Sequence, residues 1–243
     1  MTLFDPDPKL RWLFCLTHPD DEIAICAWIH RLTQAGAEVH LAWTHSIAVR
    51  EAEARRAAGA LGVPAERLRF LEAPDRHVAA NLPELIPVFR QMMAEVKPDR
   101  VCCGAFEQGH IDHDATNLLV NRTFGGPVLE TPLYHPYSRR LQRLNRFADP
   151  EGEQVLHLTE EERRLKKRVA RMYPSQRIWR ILVGYEVLQI ARMRAAELAH
   201  TERLRLQTHK DFLKPNLPPE LARQVVRTQA WRRWVECVEA VKA

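Results

Sequence analysis

The sequence has few cysteines, and none of them are spaced as a C-x-x-C zinc or redox motif. An odd number of cysteines without such spacing argues against a disulfide scaffold. We therefore expect reduced core thiols and a cytoplasmic location. The five residues are Cys15, Cys26, Cys102, Cys103 and Cys237.

Long hydrophobic runs are also missing. No apolar stretch approaches the ~20 residues that a helix needs to cross a bilayer. The first residues, "MTLFDPDPKLRW", lack the basic-then-apolar order of a secretory signal. The sequence contains no internal repeat and no low-complexity segment. We therefore expect a globular protein without a membrane span.

The composition is that of an ordinary globular chain, but its charge is unevenly distributed. Of the 243 residues, 46% are hydrophobic and 28% are charged. The part from Arg139 onward carries 23 Lys/Arg against 13 Asp/Glu, although the whole chain has a net charge of only +5. Nucleic acid, anionic lipid or an anionic substrate could explain a basic tail. Solvated amphipathic helices are the favoured explanation, because glutamates alternate with the basic residues in 159–173. No motif for specific nucleic-acid binding is evident, and a homo-oligomer stays open.

Strand-like and helix-like segments alternate through the first half of the chain. This alternation predicts an α/β fold, with a Rossmann-like, mostly parallel sheet and helices on both faces. We divide the chain into an α/β core at 1–140 and a basic, mostly helical C-terminal part at 141–243, packed on the same domain or separate from it. Strands are predicted at 12–18, 38–45, 67–73, 100–106 and 127–135, and helices at 21–36, 49–62, 82–96, 112–124, 159–173, 175–199 and 219–243.

Two charged clusters directly follow predicted strands. "THPDDE" (17–22) follows the first strand, and "EQGHIDHD" (107–114) follows the fourth. Ligands bind outside the carboxyl ends of the strands in an open parallel sheet. If strands one and four are neighbours, both clusters therefore face one crevice.

The residue types in these clusters suit a metal. His18 and Asp21 can converge on one cation, and His110 and His113 share a face of a helical first turn because they are three residues apart. Nitrogen ligands with one carboxylate suit zinc or ferrous iron. Three protein ligands leave a position open, as in catalytic sites. Either motif alone is more often a charged turn or a helix cap, and it is their combination after two strands that favours a site.

These motifs resemble those of the LmbE-like, PIG-L type N-acetylglucosaminyl deacetylases. That family pairs an (A/S)HPDDE motif after its first strand with a later HxDH motif, here "THPDDE" and "HIDH". The segments "VREAEARRAAGALGV", "FLEAPD" and "KPDRV" extend the resemblance over roughly residues 10–135. Thr17 departs from the family's small residue before the histidine, and no comparable match follows residue 140.

The resemblance implies a metal-dependent amidase with a defined set of roles. It implies that Asp20 is the general base, that His110 stabilises the oxyanion or protonates the leaving amine, and that Asp112 orients His110. Zinc lowers the pKa of its water to about 7 and polarises a carbonyl, which agrees with amide hydrolysis. The zinc ligands implied by the resemblance are His18, Asp21 and His113.

Four further residues are candidates for binding the substrate. Arg50 matches the family's R-x-x-E arginine and could hold a sugar hydroxyl or a phosphate, or simply pair with Glu53. Asp75 follows the third strand and could equally cap a loop. Glu130 and Tyr134 lie on or after the fifth strand, where a sugar could lie.

The sequence thus predicts a zinc-dependent, or ferrous-iron-dependent, N-deacetylase acting on an N-acetylated amino sugar or its conjugate. One alternative is a metal phosphoesterase, because "IDHDA" loosely resembles the motifs of DHH phosphodiesterases. That activity needs further aspartates at strand ends, which are not found here. The other alternative is a non-catalytic binding protein with a vestigial site, which the intact set of six motif residues disfavours. The particular substrate and the native metal stay open.

Overall fold

Apolar stretches of the sequence form a seven-stranded sheet. The computed structural model describes residues 2–139, 142–193 and 197–241. Two short strands, β6 and β7, form a separate antiparallel ribbon. The strands are β1 (Arg11–Leu16), β2 (Glu38–Trp43), β3 (Leu68–Phe70), β4 (Arg100–Gly104), β5 (Val128–Thr131), β6 (Tyr134–His135), β7 (Arg143–Leu144), β8 (Gln154–His157) and β9 (Thr201–Leu206).

The sheet has the order β3-β2-β1-β4-β5-β9-β8. Its first five strands are parallel, and Cys15 of β1 is in register with Ala42 of β2 and Cys103 of β4. Strands β9 and β8 are antiparallel to their neighbours. The first and fourth strands are neighbours, so the condition for the two clusters to face one crevice is met. Strands β2 and β3 are added on one side of β1, and β4 and β5 on the other. The carboxyl ends of β1 and β4 therefore form the topological switch point.

Eight α-helices surround the sheet within the described ranges. They are α1 (Cys26–Gln34), α2 (Ala48–Ala60), α3 (Leu82–Val96), α4 (Ile111–Thr123), α5 (Glu160–Arg171), α6 (Ile178–Ala191), α7 (Pro219–Val225) and α8 (Gln229–Glu239).

Alternation along β1 creates the two hydrophobic cores. Trp12 and Phe14 point to one face, where they pack with residues of α1, α2 and α5 such as Trp28. Leu13 and Cys15 point to the other face, among residues of α3, α4 and α8. Both faces of a central parallel strand are buried in this way because crossover helices cover them. Helices on both faces of a mostly parallel sheet confirm the predicted fold class.

Several boundaries differ from those predicted. The fifth strand, predicted at 127–135, ends at Thr131 and resumes as β6, because Pro132 has no N–H to donate to a ladder. The helix predicted at 21–36 begins as a 3-10 turn at Asp21–Ala24 before α1 starts.

The C-terminal part is less helical than predicted. It contributes β7, β8 and β9, and the latter two extend the main sheet beyond β5. The helix predicted at 219–243 is two helices, and its last two residues lie outside the described ranges. The helix predicted at 175–199 ends at Ala191, and residues 194–196 likewise lie outside those ranges.

A buried carboxylate of the C-terminal part holds the helix that follows the first motif. Glu202 of β9 accepts hydrogen bonds from the backbone N–H groups of Ala27 and Trp28 in the first turn of α1. Lys166 of α5 neutralises Glu202 at 3.0 Å, and both side chains are almost fully buried. The helix dipole and the ammonium group together stabilise the buried carboxylate. The C-terminal part is therefore packed on the core where the site lies.

The described residues include eight α-helices and all five cysteines. None of those helices combines the length and apolar character needed to cross a membrane. All five cysteines have free thiols.

Candidate metal centre and active site

Three side-chain atoms from the two motifs converge at the switch point. His18 Nδ1 lies 3.1 Å from His113 Nε2. Asp21 Oδ2 lies 3.5 Å from His113 Nε2 and 3.9 Å from His18 Nδ1. The fold thus brings together the three residues predicted as metal ligands.

The backbone after β1 fixes this triangle. Asp21 Oδ2 accepts hydrogen bonds from the backbone N–H groups of Thr17 (3.0 Å) and His18 (2.9 Å). These bonds close the turn that contains Pro19 and orient the carboxylate beside the imidazole. His113 is presented by the first turn of α4, where its side chain is buried.

The donor set fits a tetrahedral zinc ion. Ligand atoms about 2.0–2.2 Å from such an ion lie roughly 3.3–3.6 Å apart. The three observed separations of 3.1, 3.5 and 3.9 Å lie on both sides of this range and within it. Burial lowers the pKa of His18 to about 3, with the neighbouring His113, His110 and Arg50 adding to the effect against Asp21. Burial and His110 also hold the pKa of His113 well below its ordinary value. Both imidazoles are therefore neutral at physiological pH, the form that binds metal.

A second, overlapping set of ligands is also present. The ring nitrogens of His18, His110 and His113 lie within 4.8 Å of one another. The two sets share His18 and His113 and differ in whether Asp21 or His110 completes the site. Asp21 lies 3.5 Å and 3.9 Å from the two histidines, close enough to share one ion with them.

Asp20 is held apart from the triangle by Arg50. Its φ of 117° places it in the left-handed region, which is costly for a residue with a Cβ. Arg50 Nη2 donates to Asp20 Oδ1 at 2.9 Å and to the carbonyl of Pro19 at 2.6 Å. Burial and the adjacent Asp21 raise the pKa of Asp20 well above its usual range, although Arg50 opposes the shift. Asp20 is therefore held by Arg50, whereas Asp21 is held by backbone N–H groups.

Arg50 has a different environment from the two that the sequence suggested. Its guanidinium is buried on Asp20, whereas Glu53 accepts hydrogen bonds from Ser175. Arg50 also lines the cavity described below, so it lies beside Asp20 at the wall of that cavity.

His110 and Asp112 interact through the backbone of α4. His110 is the N-cap residue, and its Nδ1 accepts a hydrogen bond from the backbone N–H of Asp112 at 3.2 Å. The carboxylate of Asp112 instead accepts from the backbone N–H of Val78 at 3.1 Å. The expected carboxylate–imidazole pairing is not among the hydrogen bonds of the described residues. An accepting Nδ1 leaves the proton of a neutral His110 on Nε2, where it can be donated.

A chain of hydroxyl groups forms the floor of the site. Thr17 donates to Thr116 Oγ1 at 2.9 Å, and Thr116 donates to Thr44 Oγ1 at 3.0 Å. The chain ties the carboxyl ends of β1 and β2 to α4. Thr17 supplies the first hydroxyl of this chain, which an alanine at this position could not do.

Two residues support His18 from its outer side. Asp75 Oδ1 lies 3.5 Å from His18 Nε2, and its side chain is half exposed. A carboxylate on the second nitrogen of a ligating histidine orients its ring and raises its basicity. His45 packs edge-on against His18 with ring centroids 5.6 Å apart. The sequence interpretation missed His45, although it follows β2 in a "TH" pair like the one that follows β1.

Tyr134 forms a wall beside the metal centre. Its ring lies 5.1 Å from that of His113, measured between centroids. The loop carrying His110 passes very close to Tyr134, since a Cβ built on Gly109 would lie 1.7 Å from the carbonyl oxygen of Tyr134. Gly109 is therefore required for this approach.

Glu130 was wrongly predicted to bind substrate. Its side chain is buried in the sheet, and it accepts from the Phe106 N–H (3.0 Å), Asn117 Nδ2 (3.2 Å) and Arg205 Nε (2.8 Å). It is not among the residues that line the cavity at the metal centre. Its role is to satisfy buried donors between β5 and β9.

A cavity of 390 Å³, which we call the catalytic cavity, lies at the metal centre. This volume suits a sugar-sized ligand. Polar groups line the end of the cavity at the switch point. Three residues of α6, namely Ile178, Ile181 and Leu182, form an apolar wall. The predicted residues that line it are His18, Asp20, Asp21, Arg50, Asp75, His110 and Tyr134.

The fold and this site define a doubly wound α/β protein with a candidate three-ligand metal centre at its switch point. Residues 13–124 match the family model PIG-L, described as GlcNAc-PI de-N-acetylase. These residues resemble the PIG-L family, and the resemblance seen in the sequence is confirmed over this range. Comparison with curated protein sequences finds no match.

Solved structures share the fold at low sequence identity. A deacetylase mutant from the teicoplanin biosynthetic pathway is 20% identical, with a TM-score of 0.63 over 83% of this chain and 99% of that one. N,N'-diacetylchitobiose deacetylase from Pyrococcus horikoshii is 18% identical, with a TM-score of 0.57 over 85% and 87%. The 4-carboxy-2-hydroxymuconate hydratase from Pseudomonas putida is 15% identical, with a TM-score of 0.51 over 83% and 98%. Because deacetylases and a hydratase share this fold, the fold alone does not assign a reaction.

Proposed function

We propose that this protein is a metal-dependent N-deacetylase that hydrolyses the acetamide group of an N-acetylated amino sugar or its conjugate. Water adds to the acetyl carbonyl, the C–N bond breaks, and acetate and a protonated amine leave. The observation that carries the proposal is the triangle of His18, Asp21 and His113 beside Asp20 and His110, within the range that resembles the PIG-L family.

His18, Asp21 and His113 are the residues that would hold the ion. Zinc bound there supplies a Lewis acid, which lowers the pKa of water to about 7 and polarises the carbonyl. Ferrous iron suits the same donors. Asp75 and the backbone N–H groups of Thr17 and His18 keep two of the three ligands oriented.

Asp20 and His110 divide the proton transfers between them. Asp20, oriented by Arg50, takes the proton of the attacking water as general base. His110, whose Nδ1 accepts from the α4 backbone, directs Nε2–H to the developing oxyanion. The amine leaves only when its nitrogen has gained a proton, which Asp20 returns after the attack.

Acetate release tests the proposal. Zinc-loaded protein is incubated with free and conjugated N-acetylated amino sugars, and acetate is measured with a coupled assay. We expect release from at least one substrate, and its loss in the D20N variant. Absence of release from every sugar tested, with the metal present, would contradict the proposed function.

A further inference from the structure

A buried carboxylate in the first motif has no part in the proton transfers described above. Glu22, the last residue of "THPDDE", is fully buried. Its Oε2 accepts hydrogen bonds from the backbone N–H of Asp20 at 3.1 Å and from Trp43 Nε1 at 3.3 Å. Its Oε1 accepts a hydrogen bond from the hydroxyl group of Tyr173. A buried carboxylate is costly unless donors surround it, and these three donors hold Glu22 in place.

The bond from Glu22 restrains a residue in a strained conformation. Asp20 has a φ of 117° and a ψ of −19°, which residues with a Cβ rarely adopt. Arg50 binds the carboxylate of Asp20 and the carbonyl group before it, whereas Glu22 binds its backbone N–H. Because φ is the rotation about the N–Cα bond, a fixed N–H and a fixed carboxylate together restrain it.

One segment of the C-terminal part supports both groups that hold the base. Tyr173 is fully buried in the core that contains residues of α1 and α2, and it lies beyond the residues that match the family model. Two positions later, Ser175 donates to Glu53 from its backbone N–H at 3.0 Å and from its Oγ at 2.6 Å. Glu53 is three residues after Arg50 and therefore lies on the same side of α2. The segment thus contacts both the carboxylate and the helix that hold the base.

We infer that Glu22 and Tyr173 are positioning residues for the general base, and that they act by holding the backbone of Asp20 in its left-handed conformation. The inference rests on the proposed function for the role of Asp20. Neither Glu22 nor Tyr173 lines the catalytic cavity, so both act through Asp20 and not on the substrate. Without the bond from Glu22, Asp20 relaxes to a negative φ, which turns its carboxylate away from the position that Arg50 gives it.

Three variants of the whole chain test this inference. E22M has a side chain of similar length without a strong acceptor. E22Q keeps a carbonyl oxygen for the N–H of Asp20 and an amide group for the hydroxyl of Tyr173. Y173F removes only the hydroxyl that binds Glu22. The matched control is Y137F, which removes the hydroxyl of a tyrosine that packs against the other core. Thermal melts establish which variants are folded.

Steady-state kinetics and a metal assay give the first measurement. We expect E22M and Y173F to lower kcat by at least about tenfold, because hydrogen bonds to charged groups have effects of that size. The KM and the metal content should stay close to those of the wild type, and E22Q and Y137F should retain most of the turnover. A merely structural role would lower the melting temperature without this split between kcat and KM. If E22M is unfolded, Y173F decides the outcome.

Three kinetic results would overturn the inference. They are a kcat in Y173F no lower than in Y137F, an equal loss in E22Q and E22M, and a loss of turnover that follows a loss of metal. The last of these would mean that Glu22 supports a metal ligand and not the base.

Crystal structures of E22M and E22Q give a measurement that does not depend on activity. Asp20 should have a negative φ in E22M and keep its positive φ in E22Q. A positive φ in E22M would contradict the inference. Acetate release that is equal in the wild type, E22M and Y173F would keep the deacetylase and remove the positioning role. A relaxed Asp20 in E22M, in a protein that releases no acetate from any sugar, would keep the hold of Glu22 on Asp20 and contradict the deacetylase.

Discussion

Several residues of the candidate site are held in place by a neighbouring group. His18 has Asp75 on its outer nitrogen, Asp20 has Arg50, and His110 has the first turn of α4. Such supporting contacts determine whether side chains from different loops stay within reach of one atom. At the scale of single residues, the site can therefore be tested by changing either a member or its support.

The first prediction distinguishes the two overlapping sets of metal ligands. D21N and H113A should each lose the metal, because both residues belong to the triangle, whereas H110A should keep it. Metal analysis of purified wild-type protein should show about one ion per chain. H157A, a change at an exposed histidine of β8, is the control.

The reverse pattern would contradict the assignment. If H110A lost the metal and D21N retained it, the set of His18, His110 and His113 would be the site. Retention of the full metal content by H113A would exclude both sets.

The second prediction concerns Asp20. D20N should retain the metal but lower kcat by roughly 10²–10⁴-fold with a smaller effect on KM, because an amide cannot accept the proton of the attacking water. Steady-state kinetics beside a metal assay measure both properties, and D5N at an exposed aspartate serves as the control. Loss of the metal in D20N would mean that Asp20 is a ligand. Normal turnover would show that it is not the base.

Among the elements, two neighbouring helices of the C-terminal part differ sharply in burial. Helix α5 buries Leu165, Lys166, Val169 and Ala170, whereas no residue of α6 is buried. The outer side of α6 exposes apolar side chains, although its inner side lines the catalytic cavity. The two helices should therefore contribute very differently to stability.

The third prediction compares a valine in each helix. Val169 is fully buried, whereas Val187 is 60% exposed. V169A should lower the free energy of unfolding by about 2 kcal/mol, from lost burial and the cavity left behind. V187A should change it by less than about 0.5 kcal/mol. Urea denaturation of both variants measures the difference. An equal cost for V187A would show that α6 is covered in solution.

At the scale of the whole molecule, a buried charge network joins the late strands to the parallel sheet. Arg205 of β9 binds Glu130 of β5 at 2.8 Å and lies 3.3 Å from Glu107, which follows β4. Glu107 also accepts a hydrogen bond from the backbone N–H of Ala148. Two carboxylates thus share one arginine, so the charge of the guanidinium group cannot neutralise both of them.

The fourth prediction follows from that imbalance. Burial raises the pKa of Glu107 from 4.5 to about 8, although Arg205 opposes the shift. A raised pKa means that the folded state binds the proton more tightly. The contribution of Glu107 to stability is therefore complete below pH 4.5 and is lost as the pH rises to about 8. The wild type should lose roughly 3 kcal/mol of unfolding free energy over this pH range. E107Q, whose side chain stays neutral, should lack that loss.

Denaturation at pH 5 and pH 8 checks this expectation. The difference in unfolding free energy between the two pH values should be smaller in E107Q than in the wild type. The exposed variant E151Q should keep the wild-type difference. An unchanged difference in E107Q would show that Glu107 is ionised in the fold.

The sequence by itself determined the elements of the first half and the chemistry at their ends. The apolar run before "THPDDE" and the one before "GHIDHD" form β1 and β4, and α3 has the bounds that its periodicity predicted. These features can be predicted because hydrophobic periodicity depends only on residues that are close in the sequence. A polar cluster that follows a buried strand must also lie at the edge of the sheet. The family resemblance added roles for individual residues.

The tertiary structure decided which of the charged residues belong to the site. Glu130 and Arg50 are both candidates for substrate binding in the sequence. In the fold, Glu130 is bound by Arg205 and Asn117, and Arg50 binds Asp20. No strand is predicted at 201–206, yet these residues form β9, and Glu202 is buried on Lys166 and the start of α1. Such burial depends on partners far away in the sequence, whose charges and N–H groups meet only when the sheet has formed. No local pattern can encode them.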